Sequence, residues 1–192
     1  MDRGTKVFWS IVIALGGAST YFGVRAEHVR RSVQRAHADV HTGDLVSFSK
    51  IVDGDTVLLV NAEGDAVTVR LVGVKAFDSA SAKDPASAWG RGAAETMRKT
   101  LEAKPIRVML ATPPKDKHGR TLATLFVDDE DVAVKLVRDG LVLVYTPFPF
   151  PAMHEYLLEQ EKAKNEHKGL WSDPLATARA QLLVQEWRKG AP

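Results

Sequence analysis

A chain of 192 residues, 45% of them hydrophobic, is long enough to bury the core of one ordinary globular domain with additions at its ends. It has no cysteine, which excludes disulfides, thiolate metal sites and a cysteine nucleophile. Of its 26 Lys and Arg and 24 Asp and Glu, six and three precede Thr42. The remaining 20 against 21 exclude a domain that captures polyanions by bulk charge.

The first element is residues 7–24, a run without a charged side chain, bracketed by Arg3, Lys6 and Arg25 and carrying Phe8, Trp9, Tyr21 and Phe22 near its ends. As a helix it rises about 27 Å, the thickness of a thin bilayer, and aromatic residues near the ends suit the interfaces. It is expected to be a single-pass transmembrane anchor. A cleaved signal peptide, leaving a secreted protein, is the other reading, supported by the small residues Gly16, Gly17, Ala18 and Ser19. Arg25, Arg30, Arg31 and Arg35 crowd the exit side, which disfavours cleavage. By the positive-inside rule they lean the domain to the cytoplasmic or matrix side of a bacterial or mitochondrial inner membrane. Residues 25–42 read as a basic juxtamembrane tether, and its His28, His37 and His41 as part of a solvated face rather than a metal site.

From residue 43 the pattern gives strands first and helices later. The run 45–48 leads through 51–60 to 67–74, three strands with turns at Asp53-Gly54 and Glu63-Gly64. Ala93, Ala94, Met97 and Leu101 mark one face of a helix over 93–101. Residues 105–110 and 121–127 are two further strands, flanking a loop with Pro113, Pro114 and Gly119. Asp131 is placed to cap a helix stopped by Gly140, and another helix is expected over 152–167, ended by Gly169. Five strands with about three helices give an α+β class and fit an open five-stranded OB-type barrel over residues 43–173. The tail 174–192 reads as one more amphipathic helix.

Within this frame the stretch Asp53-Gly54-Asp55-Thr56 is costly, because Asp and Gly are depleted from strands and here lie between the apolar runs 51–52 and 57–60. A bend or bulge is one reading; a bend that aims Asp55 at a cation is the other. Arg70 on the alternating run 67–74, the loop Asp116-Lys117-His118-Gly119-Arg120, and Gly169-Leu170-Trp171 follow it in order. This ordered series, over residues 43–173, resembles the staphylococcal nuclease (thermonuclease-like) family. The resemblance implies the same OB-type barrel and phosphodiester hydrolysis of nucleic acid, DNA or RNA. It also implies one Ca²⁺ held by two aspartates and a backbone carbonyl, a glutamate that orients water, and two arginines that clamp the phosphate. It assigns Asp55 to the first metal aspartate with Ala76 as a backbone oxygen, Arg70 and Arg120 to the clamp, and Asp78 to the water-orienting acid. Lys117, His118 and Tyr145, with Phe148 nearby, fall at positions that touch nucleic acid, and Trp171 is expected to close the core.

Where the family reads Gly-Val/Ile-Asp-Ala/Thr-Pro-Glu, this chain reads Gly73-Val74-Lys75-Ala76-Phe77-Asp78. Lys75 stands at the second metal-binding aspartate. At ~4 Å and an effective dielectric of ~20 each unit charge pair is worth about 4 kcal/mol, so the exchange weakens a divalent site by several kcal/mol. Asp78 is one methylene short of the glutamate, and a misplacement of about 1 Å costs on the order of 10²-fold in rate. Phe77 removes the rigid turn of the proline. Two functions are therefore expected: a membrane-anchored nuclease with an altered, weakened Ca²⁺ site, or a catalytically silent OB module that binds nucleic acid, a phosphorylated ligand or a protein partner.

Overall fold

The computed structural model describes residues 40–81, 83–116 and 118–190, all within the second of the two units into which the chain divides, residues 38–192. The expected anchor at 7–24, the tether as far as residue 39 with His28 and His37, and Lys117 lie outside the described residues. Among the described residues no helix is long and apolar enough to cross a membrane.

Strand β1 (Leu45–Asp53) turns through Gly54 and Asp55 into β2 (Thr56–Val60), and β2 into β3 (Ala66–Leu71), both pairs antiparallel. The second turn is set by Asn61, whose side-chain oxygen accepts from the Glu63 and Asp65 amides at 3.1 and 2.8 Å, the local bonding that favours Asn in turns. After a two-residue β4 (Val74–Lys75), β5 (Ile106–Lys115) and β6 (Thr121–Val127) form a second hairpin. β5 joins β1 at Leu45 and Arg107, and β6 runs parallel to β3 from Val69–Thr121 to Leu71–Ala123. That pairing closes the ring β3-β2-β1-β5-β6, so the barrel expected to be open is sealed at this seam. The pleat turns alternate side chains inward. Thr121, Ala123, Leu125 and Val127 of β6 and Val67, Val69 and Leu71 of β3 fill the interior with Val57, Leu59, Ile106 and Val108.

Helices cover the ring. α1 (Ser87–Leu101) buries Ala93, Met97 and Leu101 completely, but it begins six residues before the stripe read from the sequence. Two glycines hide its first turn, and Gly90 has a tertiary reason: a Cβ there would lie 2.2 Å from the Phe77 carbonyl oxygen. Gly54 makes the matching approach from the barrel, since a Cβ on it would meet Ala76, Gly90 and Ala93 at 2.7–3.0 Å. The glycine between the two aspartates thus lets α1 and the segment after β4 close onto the turn.

A two-residue β7 (Glu130–Asp131) leads into α2 (Val132–Arg138), capped as expected by Asp131, which accepts from the Ala133 and Val134 amides. Then β8 (Leu143–Val144) pairs with β4, followed by α3 (Met153–Asn165), a 3₁₀ turn at Gly169–Ser172, and α4 (Pro174–Gly190). Asp173 accepts from the Leu175 and Ala176 amides, and Pro174 takes the first helical position, where its missing N–H costs nothing. α4 is the amphipathic helix read from the sequence, packed on the domain. Its Ala176 and Ala180 are fully buried in a second core with Phe77, Ala86, Leu143 and Leu170, and Leu183 and Trp187 pack on that core. The expectation for Trp171 changes here: Leu170 is the side chain with no exposure, while Trp171 is half-buried beside it. The 3₁₀ turn directs consecutive side chains to different sides, so only one of the two can point fully inward.

Candidate active site

Asp55 is buried at the turn between β1 and β2. Its side chain has 1% exposure, and its main-chain oxygen accepts from the Leu71 amide at 3.0 Å, which fixes the turn against β3. Thr56 pairs with Arg70 across the β2–β3 ladder, so the arginine is delivered beside Asp55 by strand register. Arg70 Nη1 donates to Asp55 Oδ1 at 2.6 Å, and the Thr56 hydroxyl donates to the same oxygen at 2.9 Å. Oδ2 accepts from the Ala76 amide at 3.0 Å and from Lys75 Nζ at 3.4 Å. Arg70 is further steadied by a bond from Nη2 to the Val74 carbonyl at 3.3 Å. Burial alone would push the Asp55 carboxyl up. The charges of Arg70 and then Lys75, with the Ala76 and Thr56 hydrogen bonds, outweigh it and hold the group below the usual carboxylate range.

This geometry tests whether a divalent ion fits. A carboxylate offers about four acceptor positions, and each oxygen of Asp55 already takes two donors. Ca²⁺ takes six to eight oxygen ligands. The Ala76 N–H donates to Asp55 Oδ2, and the Lys75 ammonium stands on the same oxygen, where a cation would bind. Among the described residues no group of three or more His, Cys, Asp or Glu is placed to hold a metal ion. The donor set does not fit a hard divalent cation.

Asp78 is exposed, and its Oδ1 accepts from the Ala80 amide at 2.8 Å, so the carboxylate is turned into its own loop. Arg120 immediately precedes β6, whose Thr121 lies opposite Val69 and whose Leu122 lies opposite Arg70, and this brings it to the edge of β3 two register steps from Arg70. It is held by Asp116, whose Oδ2 accepts from Arg120 Nε at 2.7 Å and whose Oδ1 accepts from the His118 and Arg120 amides. Partial burial works against the charged Asp116. The bonds from Arg120 and His118 prevail and keep its carboxyl below the ordinary range. His118 is exposed on this loop.

Tyr145 follows β8 and donates its amide to the Gly73 carbonyl at 2.8 Å, which ties its main chain to the segment that carries Lys75. Asp55, Arg70 and Lys75 are thus in direct contact, and Tyr145 follows the strand that pairs with Lys75. Two contributors are not visible in the sequence. Asp53 Oδ1 accepts from the Ser79 hydroxyl at 3.0 Å, tying the Asp78 loop to the turn. Trp187 reaches the Tyr145 ring from α4 at a centroid distance of 4.9 Å. The first pairs residues 26 apart in sequence, and only the doubled aspartate hinted at it.

A family model described as staphylococcal nuclease homologue matches residues 68–173, more than half of the chain. Thermonuclease of Staphylococcus intermedius is 30% identical over 137 residues, which cover 71% of this chain and 80% of that protein. Thermonuclease of Staphylococcus hyicus is 26% identical over 125 residues, 65% of this chain and 73% of its own length. A protein of Haemophilus influenzae described as an uncharacterized endonuclease is 28% identical over 137 residues, 71% of each. With the barrel order, the Asp55–Arg70 pair that joins the β1–β2 turn to β3 and these matches together, the chain belongs to the staphylococcal nuclease homologue family.

Proposed function

We propose that this chain is a membrane-anchored nuclease that hydrolyses phosphodiester bonds of nucleic acid at the Asp55–Arg70 centre with an altered and weakened metal site. Family membership supports the reaction class. The observation that carries the altered site is the Lys75 ammonium 3.4 Å from Asp55 Oδ2. In this reading residues 7–24 are the anchor and the domain lies on the cytoplasmic or matrix face. Water attacks phosphorus, one P–O bond forms and one breaks, and the phosphorane-like transition state gathers negative charge that Arg70 and Arg120 offset. Asp78 orients the water once its carboxylate leaves the Ala80 amide, and from a position one methylene shorter than a glutamate would give. Lys117 and His118 contact the strand. The experiment is direct: the full chain in detergent is incubated with single-stranded DNA and with RNA, in Ca²⁺ or in chelator. Slow cleavage little changed by Ca²⁺ is expected. Vigorous Ca²⁺-dependent hydrolysis would sink the altered-site reading.

One observation favours a second reading. Arg70 and Lys75 are both paired with the single buried carboxylate of Asp55, and a phosphate must compete with it for them. A silent module that binds nucleic acid, a phosphorylated ligand or a protein partner would look the same, and it is selected if oligonucleotide binds but no condition gives cleavage.

A further inference from the structure

The side chain that keeps a divalent ion from fitting is itself open to a ligand. Lys75 lies between Val74 and Ala76, both buried, so its own side chain rises on the other side of the segment and is 37% exposed. Its main chain is fixed by the β4–β8 ladder, where Lys75 lies opposite Leu143. An ammonium has three donors, and among the described residues one partner is in reach, Asp55 Oδ2 at 3.4 Å. That is long beside the ~2.7–2.9 Å of a close charge-assisted bond. Arg70 differs in each respect. It holds Asp55 at 2.6 Å, bonds the Val74 carbonyl as well, and is 14% exposed. A phosphate that competes with Asp55 for cations therefore wins Lys75 more readily than Arg70.

Charge says what the ammonium replaces. An aspartate together with a divalent cation carries one net positive charge, and a lysine carries the same charge alone. Asp55, Arg70 and Lys75 leave one positive charge uncompensated. Two aspartates, a Ca²⁺ and Arg70 would leave the same. The exchange at residue 75 thus abolishes the divalent site without altering the net charge the centre offers to a phosphodiester, which bears one negative charge. A compact ammonium on a flexible four-carbon stem can swing from the carboxylate to a phosphate oxygen while its main chain stays in the ladder.

We infer that the Lys75 ammonium binds the phosphate at this centre in place of an aspartate-held divalent ion, so that a phosphodiester is held beside Arg70 without any metal. Asp55 is then a positioning residue, which holds Arg70 and steers the ammonium. The inference rests on the nucleic-acid reading above, and its test separates the two.

The full chain in detergent is titrated by fluorescence anisotropy with a single-stranded oligothymidylate, in chelator and in Ca²⁺ at matched ionic strength, over a series of salt concentrations. The wild-type protein is expected to bind equally well in both. Lys75→Met should bind several-fold more weakly, with a slope of log K against log salt shallower by about 0.7, the share of one phosphate contact. Lys75→Arg keeps the charge and should keep the slope, which a merely structural role would not predict. Unchanged or tighter binding by Lys75→Met at an unaltered slope would show that Lys75 only closes the site on Asp55, and would overturn the inference. Wild-type binding that requires Ca²⁺ would overturn it without any variant. Inorganic phosphate is the second probe, read as a rise in melting temperature in chelator. A rise that Lys75→Met abolishes, in a chain that ignores the oligonucleotide, would keep Lys75 as the phosphate ligand and overturn the nucleic-acid reading. A wild-type chain that responds to neither probe would overturn both.

Discussion

Asp55 is buried at 1% exposure with two cations on it, and this makes it a structural residue as well as a candidate for chemistry. Removing one side of a buried pair leaves the other charge uncompensated, so Asp55→Asn should cost about 3–5 kcal/mol at neutral pH, measured by urea unfolding. The sign of the pH dependence follows from the depressed pKa of the folded carboxyl. Its contribution is fully present above the unfolded carboxylate value, about 4, and is lost as pH falls through the lower folded value. The wild-type chain should therefore lose stability below about pH 4 more steeply than Asp55→Asn; equal acid limbs would remove Asp55 from the account. Lys75 gives the functional counterpart. Lys75→Asp with Asp78→Glu should create Ca²⁺-dependent cleavage of single strands and a Ca²⁺-dependent rise in melting temperature, and adding Arg70→Ala should abolish the cleavage. A double variant that is stabilised by Ca²⁺ yet cuts nothing would favour the silent module. Asp55, Arg70 and the Lys75 departure were legible in the sequence because each sits in a short motif. Whether Lys75 pairs with Asp55 or with Asp78 was left open by the sequence, since the contact spans 20 residues and depends on how β4 docks against the turn.

At the scale of elements, the strands were readable because one face of each is buried and their side chains alternate with a period of two. The helix starts were less so. Gly90 and Gly92 make the first turn of α1 look like loop, and the close approach to Phe77 that requires Gly90 is a tertiary fact. Phe77 itself reads as a lost proline, yet the structure gives it a place. It is 3% exposed in the core that α4 completes, so this departure and the helix beyond the family match are packed together. Arg179, 3.4 Å from Asp84, joins the same helix to the loop that precedes α1. Phe77→Ala should cost about 3–5 kcal/mol and Leu170→Ala about 2–5, read as a lowered denaturant midpoint with the slope preserved. The Phe77 change should also weaken the site, because the next residue toward the barrel is Ala76, whose amide holds Asp55. An unchanged midpoint for Phe77→Ala would show that α4 packs without mattering to the barrel.

For the whole molecule, charge sets what the cleft can do. Past Thr42 the chain holds 20 basic against 21 acidic residues, so no surrounding field adds to the few cations at the site. Each of the candidates Arg70, Lys75 and Arg120 also has a carboxylate partner within 3.4 Å. Single-strand binding loses affinity with salt at a slope of about −0.7 in log K per phosphate neutralised. Three contacts therefore predict a slope of about −2 or shallower, in contrast to the steep dependence of a basic groove. The expected anchor bears on how this is measured. The full chain should stay with membranes after an alkaline carbonate wash, and a chain beginning at Thr42 should be soluble and folded, because every described strand and helix lies beyond that point and Val40 is the one buried core residue it lacks among those described. Recovery of a mature N-terminus between Ala18 and Ala26 would instead identify a cleaved signal. The salt titration is best run on both forms. If Arg70, Lys75 and Arg120 supply the phosphate contacts, the chain from Thr42 should show the same shallow slope as the full chain. A slope steeper than about −4 for the full chain that collapses on removal of residues 1–41 would move the phosphate contacts to the arginines of the tether, and the cleft would then be a minor part of the binding surface.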